Sequence, residues 1–369
     1  MTKKHSALST ALILTGLALA PMLSAQKISS PSASVLDVTA RQAFLKTTTD
    51  ARIHSAMAHL GSCTSTPLVP APTGEMQIPH HYMHGSNGPV NPAEGEATRV
   101  YATFEHRITA GMNQWVATGN QGEAQCALSQ LDAWAQAGAL TRYDPKAYSQ
   151  SWYQAEWTLA SAGVTASVLR QDPALDGAQQ ERVADWLRAA AHQLISYEKP
   201  GALGNNHHYW RALAATSIGV LSNDNELFRF GVNTFKQAVG QEDSNGAFPL
   251  EMARHENAIH YQSFALQPLI MIAEFAGRQN VDLYAYTDHG RTIRNAVIFL
   301  GHAIADPGIV KQYTSDEQKT NFSAGDVAEL EFYFARFGAE SAPNSLRNLL
   351  HNPATATRVG GNTTVLAGK

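Results

Sequence analysis

Helical periodicity runs almost without interruption from residue 98 to about residue 338, and it constrains the fold more than any other feature. Apolar residues recur at intervals of three and four, and turn-forming pairs such as Asp172-Pro173 and Pro200-Gly201 separate the segments. Candidate helices cover about residues 36–60, 98–117, 122–138, 146–170, 178–197, 207–221, 225–240, 257–277, 286–303 and 325–338. The pattern predicts an all-α chain of antiparallel helical hairpins, packed around a centre as an α/α toroid.

The first 25 residues have the layout of a secretory signal peptide. Lys3 and Lys4 precede an apolar run over residues 7–20, and Leu23-Ser24-Ala25 supplies a small-residue cleavage site. The run is shorter than the roughly 20 residues of a membrane-spanning helix, although a retained anchor is the alternative. We expect an exported protein in which residues 26–369 form a single domain, with no membrane association after cleavage.

Net charge limits the classes of partner that the protein can bind, and the cysteine content indicates the cellular compartment. The 27 Lys and Arg against 31 Asp and Glu give a net charge of −4, which argues against nucleic acid as a partner. An acidic ligand would need its positive contacts concentrated in one cleft. Cys63 and Cys126, an even count in an exported chain, predict one disulfide; two buried free thiols are the alternative.

The densest set of reactive side chains is Asn205-Asn206-His207-His208-Tyr209-Trp210, at the start of a predicted helix. Asparagine commonly caps a helix. One cap explains one asparagine, however, and leaves two imidazoles and two aromatic rings unexplained. The segment is therefore a candidate functional site.

A second candidate pairs Arg254 with Tyr261, seven residues further along the chain. On a continuous helix the two side chains share one face. A guanidinium beside a phenol stabilises the phenolate and lowers a pKa that is normally about 10. The pair is thus a hypothetical general base, and ordinary structural bonds are the alternative.

Residues 61–97 are rich in Pro, Gly, Ser and Asn and predict a long irregular lid, over about residues 64–97. The lid carries His80, His81 and His84, which raises the question of a metal. Neither a Cys pair nor a helical His-Glu-x-x-His motif accompanies them, so we predict neither a metal nor another cofactor. The scattered carboxylates Asp132, Glu251, Glu256 and Glu331 are expected at the surface.

With these residues in view, the chain resembles polysaccharide lyase family 5, the periplasmic alginate (poly-mannuronate) lyases of Gram-negative bacteria. The similarity covers about residues 62–361, and both the order and the separations of the matching pieces agree. The pieces are Gly61-Ser62-Cys63, Cys126-Ala127-Leu128, Ala133-Trp134-Ala135-Gln136-Ala137-Gly138-Ala139-Leu140, Asn205-Asn206-His207, Tyr261 with Phe264-Ala265-Leu266, Pro268-Leu269, Met271-Ile272-Ala273, Leu330-Glu331 with Tyr333, and Arg358 with Gly360-Gly361.

The resemblance implies an incomplete α/α toroid with a lid, a periplasmic location, and β-elimination of a uronate polymer without a metal. It places the catalytic residues at Asn206, His207, Arg254 and Tyr261, and it implies that Cys63 and Cys126 form the family disulfide. Substrate contacts are predicted for His81, Tyr82, Trp210, His260 and Arg358. We expect a monomer whose partner is an acidic polysaccharide.

Departures from the family pattern put strict preference for mannuronate in doubt. Gln262 and Ser263 follow Tyr261 where the family usually has His and Asn, and Glu329 replaces a common Trp. The lid has histidines where lysine or arginine is more frequent. Because imidazole titrates near pH 6.5, these histidines predict pH-dependent acceptance of other uronates, including glucuronate polymers and hyaluronan-like chains.

Two alternatives from other classes remain at this point. A toroid glycoside hydrolase would need a carboxylate pair across the cleft, and no spacing in the sequence selects such a pair. A non-catalytic periplasmic polysaccharide-binding protein would use the same cleft without turnover.

Overall fold

Aspartate and asparagine caps set where many of the helices begin. The computed structural model describes residues 26–84, 87–199, 201 and 203–369, so the predicted signal peptide lies outside the described residues. The helices are α1 Val38–Thr47, α2 Ala51–Ala58, α3 Pro92–Thr118, α4 Gln121–Gln136, α5 Ser149–Leu169, α6 Gly177–Ser196, α7 Asn206–Ser222, α8 Asn225–Gln241, α9 Pro249–Met252, α10 Ala258–Arg278, α11 Ile293–Ala305, α12 Leu330–Phe337, α13 Asn344–Leu349 and α14 Thr363–Ala367.

Short 3₁₀ helices and two small hairpins complete the described elements. The 3₁₀ helices are His255–Asn257, Pro307–Gln312, Ala324–Val327, Ala339–Ser341 and Thr357–Val359. Strands β1 Tyr82–His84 and β2 Asn87–Val90 pair antiparallel, as do β3 Thr355–Ala356 and β4 Gly361–Asn362. Over the described residues, no helix is both long enough and apolar enough to cross a membrane.

The boundaries correct several sequence predictions. The helices predicted over residues 286–303 and 325–338 begin only at Ile293 and Leu330. The helix predicted over residues 36–60 is two helices, because the Asp50 side chain accepts a hydrogen bond from the Ile53 N–H and starts α2. Helix α3 begins at Pro92 and not near residue 98, with Asn91 as its cap. Proline suits the first turn of a helix because no N–H is needed there. The non-helical part of the predicted lid therefore ends at residue 91.

Helices α5, α7 and α10 form an inner layer. Each is buried on nearly all sides, as expected of helices enclosed by others. Helix α7 packs against α5, α6, α8 and α10. Helices α6 and α8 bury only one face each and form part of an outer layer. The prediction of an all-α, incomplete α/α toroid of helical hairpins is confirmed.

The lid segment is fastened to the helices at several points along its first half. The predicted disulfide between Cys63 and Cys126 is confirmed and joins the start of the segment to α4. Further along, the Val69 N–H and carbonyl bond to Gln130 at 2.8 and 3.0 Å. The Ile78 N–H donates to the Ser151 hydroxyl at 3.0 Å. Beyond these anchors, the β1–β2 hairpin extends over the toroid, where the sequence had predicted irregular chain.

Candidate active site

A cavity of about 500 Å³ lies beneath the hairpin, between α3, α5, the start of α7 and the start of α10. Eight of the nine predicted catalytic and substrate-binding residues line it. They are His81, Tyr82, Asn206, His207, Arg254, His260, Tyr261 and Arg358. The fold therefore gathers side chains that are separated by up to 277 positions in the sequence.

Asn206 is fixed by a buried glutamate. It is the first residue of α7 and is fully buried. Its backbone N–H donates to Oε1 of Glu251 at 2.6 Å, and its side-chain Nδ2 donates to Oε2 at 2.9 Å. Asn205 makes no side-chain capping bond, so capping does not explain this pair of asparagines. One hydrogen of the Asn206 amide is therefore held by Glu251, and the residue lines the cavity.

His207 is fixed by a second buried glutamate. Its Nδ1 lies 2.6 Å from Oε1 of Glu156, which has no exposed surface. The Tyr153 ring stacks on the imidazole with centroids 3.7 Å apart. Burial, and then the charges of Arg211, Arg254 and other neighbours, hold the pKa of His207 well below its usual value. The imidazole is therefore neutral at neutral pH.

Glu156 belongs to a chain of buried charges behind the cavity. Its Oε2 accepts from Nη1 of Arg211 at 2.7 Å. The Arg211 Nε donates onward to Glu198, whose Oε1 lies 2.9 Å from Nδ1 of His208. The Arg211 guanidinium also stacks over the Trp152 ring at 3.9 Å. His208 thus supports this chain of charges and faces away from the site lined by its neighbour His207.

Tyr261 is covered by a guanidinium on its ring face and by the hairpin at its hydroxyl. The Arg254 Cζ lies 3.9 Å from the ring centroid, and the Tyr82 hydroxyl is 3.2 Å from the Tyr261 hydroxyl. The expected continuous helix is absent here: Arg254 precedes the 3₁₀ turn His255–Asn257, and α10 begins only at Ala258. The two side chains nevertheless meet, because the turn folds Arg254 back over the ring.

The expectation of a lowered Tyr261 pKa is wrong for the unliganded site. Burial raises the pKa of Tyr261, and the Tyr82 hydrogen bond adds to this; the opposing charge of Arg254 does not compensate. The phenol is therefore protonated at rest. Arg254 still reduces the cost of forming the phenolate.

The remaining predicted contacts surround this centre. The Arg358 guanidinium stacks over Trp157 at 4.0 Å, and burial lowers the Arg358 pKa. Burial also lowers the pKa of His260. On the hairpin side, His81 Nδ1 is 3.3 Å from Oε2 of Glu94. Cationic and hydrogen-bonding groups therefore approach the cavity from several directions.

Two sequence expectations are corrected here. Trp210 is fully buried, packs on Phe264 with centroids 5.1 Å apart and does not line the cavity. It supports the wall instead of touching substrate, because α7 turns its fifth residue into the core. The carboxylates Glu251, Glu331 and Asp132 are buried and not at the surface; each has hydrogen-bonding partners that offset the cost of burial.

Sequence reasoning missed Glu156. A signal for it was present: Glu156 is the single charged residue of the 21-residue helix α5, among Ala, Leu, Trp and Val. Carboxylates are almost never fully buried unless paired. An isolated acid in a helix that is apolar on all sides therefore predicts a buried partner, and here that partner is His207.

A second cavity, of about 580 Å³, is the larger one and carries none of the predicted site residues. It lies between residues 59–70, α3 and the β3–β4 hairpin, and its lining is largely apolar. The clustering of titrating groups with shifted pKa values, not cavity size, identifies a candidate active site. The smaller cavity is therefore the candidate active site.

Comparison with known proteins identifies the family of the chain. The family model described as alginate lyase matches residues 23–310. The chain belongs to the alginate lyase family. This makes it a polysaccharide lyase, as the resemblance implied.

Individual relatives extend over most of the chain. A polysaccharide lyase of Stenotrophomonas maltophilia is 28% identical, covering 86% of this chain and 95% of the relative. An alginate lyase of Pseudomonas aeruginosa is 30% identical, covering 82% and 86%. The crystal structure of alginate lyase A1-III from Sphingomonas species A1 is 41% identical, with a TM-score of 0.86 over 93% of this chain and 97% of that one. A variant of A1-III complexed with a tetrasaccharide superposes with a TM-score of 0.87.

Proposed function

We propose that the chain cleaves poly-mannuronate by β-elimination, with Asn206, His207, Arg254 and Tyr261 as its catalytic residues. The observation that carries the proposal is the meeting of Arg254, Tyr261 and Tyr82 at a cavity that Asn206 and His207 also line. An acidic polysaccharide is the substrate class that the family implies.

The first requirement of the reaction is to offset the charge of the substrate carboxylate. Removing the C5 proton of a uronate places a second negative charge beside that carboxylate. Asn206 lines the cavity and supplies an amide donor, and Arg254 brings a permanent positive charge into the same cavity. Such contacts accelerate the reaction because they strengthen as the charge develops.

The second requirement is a proton acceptor at C5 and a proton donor at O4. In mannuronate the two positions lie on the same side of the ring, so Tyr261 serves both. As phenolate it takes the C5 proton; the C–H electrons form the C4–C5 double bond, the C4–O4 bond breaks, and O4 receives the proton from the phenol. His207 has one of two roles here: it holds Tyr261 deprotonated by taking the phenol proton before this step and returning it after O4 is protonated, or it contacts the substrate carboxylate. In guluronate, which has the opposite C5 configuration, His207 is the better-placed base.

A hydrolase would need two carboxylates facing each other across the bond, about 5–9.5 Å apart. The glutamates that line the cavity are Glu94 and Glu105, both on α3. Eleven residues of helix separate them by about 16 Å along its axis. Glu105 is also occupied by the Thr158 and Thr357 hydroxyls at 2.7 and 3.0 Å. The arrangement favours elimination over hydrolysis.

The direct test is product absorbance on poly-mannuronate, poly-guluronate, poly-glucuronate and hyaluronan. Elimination leaves a 4,5-unsaturated end that absorbs in the ultraviolet, whereas hydrolysis leaves none. We expect the fastest absorbance increase with poly-mannuronate. Chain cleavage without absorbance would overturn the proposal in favour of a hydrolase.

Tyr261→Phe separates a lyase from a binding protein. The variant lacks the hydroxyl that transfers the proton, so kcat is expected to fall by at least about 10³-fold while poly-mannuronate still binds. Calorimetric titration measures binding, and absorbance measures turnover. A wild-type chain that binds poly-mannuronate but produces no cleavage would identify a binding protein.

We also propose that the mature chain is a periplasmic monomer. The Cys63–Cys126 disulfide supports export, because disulfides persist in oxidising compartments. Cell fractionation of a native host and light scattering of the purified chain test the two parts separately.

A further inference from the structure

Behind His207 lies a hydrogen-bonded chain that the elimination scheme does not use: imidazole, Glu156 and Arg211, joined at 2.6 and 2.7 Å. The buried Glu156 carboxylate touches only the far nitrogen of the imidazole ring. It is therefore not a catalytic residue, since no part of it lines the cavity. Its contact nevertheless determines which nitrogen of His207 carries the proton.

We propose that Glu156 is a positioning residue that holds His207 in the tautomer with hydrogen on Nδ1, so that the bare Nε2 faces the cavity as a proton acceptor. The inference rests on the proposed function and deepens it, because it decides between two roles for His207. An imidazole with a lone pair at Nε2 accepts protons. It does not donate a hydrogen bond to the substrate carboxylate, which is left to Asn206 and Arg254.

The placement of Arg211 supports an ionised Glu156. Arg211, which is permanently charged, donates to its second oxygen at a distance typical of charge-assisted bonds. The guanidinium is itself immobilised between Glu198 and the Trp152 ring. Burial raises the pKa of Glu156 well above its usual value, and the positive charges of Arg211 and Arg358 oppose this shift. The direct bond to Arg211 favours the ionised form, because a protonated Glu156 would leave that side of the buried guanidinium without a counterion. An ionised carboxylate only accepts hydrogen bonds, so the shared proton must reside on Nδ1 of His207.

The ring orientation is fixed as firmly as the tautomer. Tyr153 stacks on one face of the imidazole at 3.7 Å, and Trp157 lies 5.8 Å away at an angle of 31°. Rotation of the ring by half a turn would put Cδ2 in the place of Nδ1 and Cε1 in the place of Nε2, and it would break the 2.6 Å contact with Glu156. Among the described residues, Nε2 has no hydrogen-bonding partner of its own, as expected for the atom that meets substrate.

Glu156→Gln tests the proposal with almost no change in shape. The amide oxygen must face Arg211, which can only donate, so the amide NH₂ faces His207. It can only donate to Nδ1, which moves the ring proton to Nε2. We expect kcat on poly-mannuronate to fall by roughly 10²–10⁴-fold, the range associated with loss of a general base or a reversed tautomer, with KM changed by less than about threefold.

Nitrogen-15 NMR of labelled histidine reads the tautomer directly and independently of activity. The wild type is expected to show a protonated Nδ1 and a bare Nε2 for His207, and Glu156→Gln the reverse. Glu156→Asp keeps a carboxylate and should retain the wild-type tautomer, with activity above that of Glu156→Gln. A bare Nδ1 in the wild type would overturn the proposal.

Glu329→Gln is the matched control. Glu329 is equally buried, but it has no hydrogen-bonding partner among the described residues and does not line the cavity. It should change neither the tautomer of His207 nor kcat by more than about threefold. Equal losses in both variants would mean that Glu156 acts only through stability. If the wild type forms no unsaturated product from any uronate polymer, the proposed function fails, and the NMR result still decides the tautomer.

Discussion

Asn206 and His207 are neighbours on the first turn of one helix, and each is held by a buried glutamate, but the two glutamates differ in their partners. Glu156 is bonded to the guanidinium of Arg211. Glu251 accepts only neutral N–H groups, both from Asn206. Burial raises the pKa of Glu251 to about 7, against the opposing effect of those bonds and of Arg254.

The difference shows that one half of the site is supported by a carboxyl bonded to a buried guanidinium, and the other half by a carboxyl that titrates near neutrality. Burial raises the pKa of both carboxyls, but of the two Glu156 alone has a cation as a direct hydrogen-bonding partner. On the Asn206 side the supporting carboxyl gains or loses its proton within the range in which the enzyme is expected to work. Variants of the groups that hold His207 and Asn206 should therefore differ in how they change stability, activity and pH dependence.

The largest effect is expected from Arg211→Met. Removal of the guanidinium leaves Glu156 and Glu198 without their shared cation, and breaking a buried ion pair costs about 3–5 kcal/mol of unfolding free energy. Urea denaturation measures the loss. Arg170→Met breaks the ion pair with the largely exposed Glu181 and should cost at most about 1 kcal/mol. Similar losses in both variants would contradict a special role for the buried network.

Asn206→Ala should cost activity more than stability. It removes the amide that we assign to the substrate carboxylate, and loss of one such donor typically lowers kcat by about 10²–10³-fold. Steady-state kinetics on poly-mannuronate measure the change. Asn205→Ala is the adjacent comparison. Asn205 also lines the cavity, but its side chain makes no capping bond, and the loss of kcat should stay below tenfold. A rise in KM alone for Asn206→Ala would show that the amide binds substrate without aiding the chemistry.

Glu251→Gln should remove a pH dependence of stability. The Glu251 pKa of about 7 lies above the roughly 4.3 of an unfolded glutamate. The folded chain therefore binds more protons between these values, and the unfolding free energy falls as pH rises from about 4 to about 7. The fall is on the order of 3 kcal/mol. Gln does not titrate, so its curve should be flatter across this window.

Denaturation at several pH values from 4 to 8 measures both curves. Glu181→Gln serves as the control, because the Glu181 side chain is 63% exposed, and its curve should parallel the wild type. A Glu251→Gln curve with the wild-type slope would show that another group produces the pH dependence.

Tyr82→Phe should have the smallest effect. It removes the hydroxyl contact with Tyr261 at 3.2 Å, and one neutral hydrogen bond contributes about 0.5–1.5 kcal/mol. A reduction in kcat/KM of no more than about tenfold is expected, with Tyr148→Phe, an exposed tyrosine, as the unaffected control. A loss above about 100-fold would place Tyr82 among the proton-transfer residues.

The sequence alone identified the helices and most of the residues that face the cavity, because both leave local patterns. Periodicity marked α3 to α8, and the crowding of polar groups marked Asn206 and His207. The buried glutamates that hold Asn206 and His207 were harder to predict. Glu156 lies 51 positions from His207, and its burial depends on a partner that no local pattern reveals.

Other predictions from the sequence were wrong for the same reason, namely that they depend on tertiary contacts. The Arg254–Tyr261 contact was expected from a continuous helix, whereas a 3₁₀ turn produces it. Trp210 shares a crowded motif with Asn206, but helix rotation directs it into the core. The sign of the Tyr261 pKa shift depends on how deeply the ring is buried, which only the assembled cavity determines.

The contacts that hold the lid segment affect the stability of the folded chain and the catalytic rate differently. The disulfide closes a separation of 63 residues, and a loop of that size contributes about 4 kcal/mol to stability. Val69 and Ile78 are nevertheless anchored by Gln130 and Ser151, so a reduced chain would keep the base of the hairpin in place. We therefore expect a reducing agent to shorten the working lifetime of the enzyme while leaving the rate at which the hairpin admits each new polymer chain unchanged.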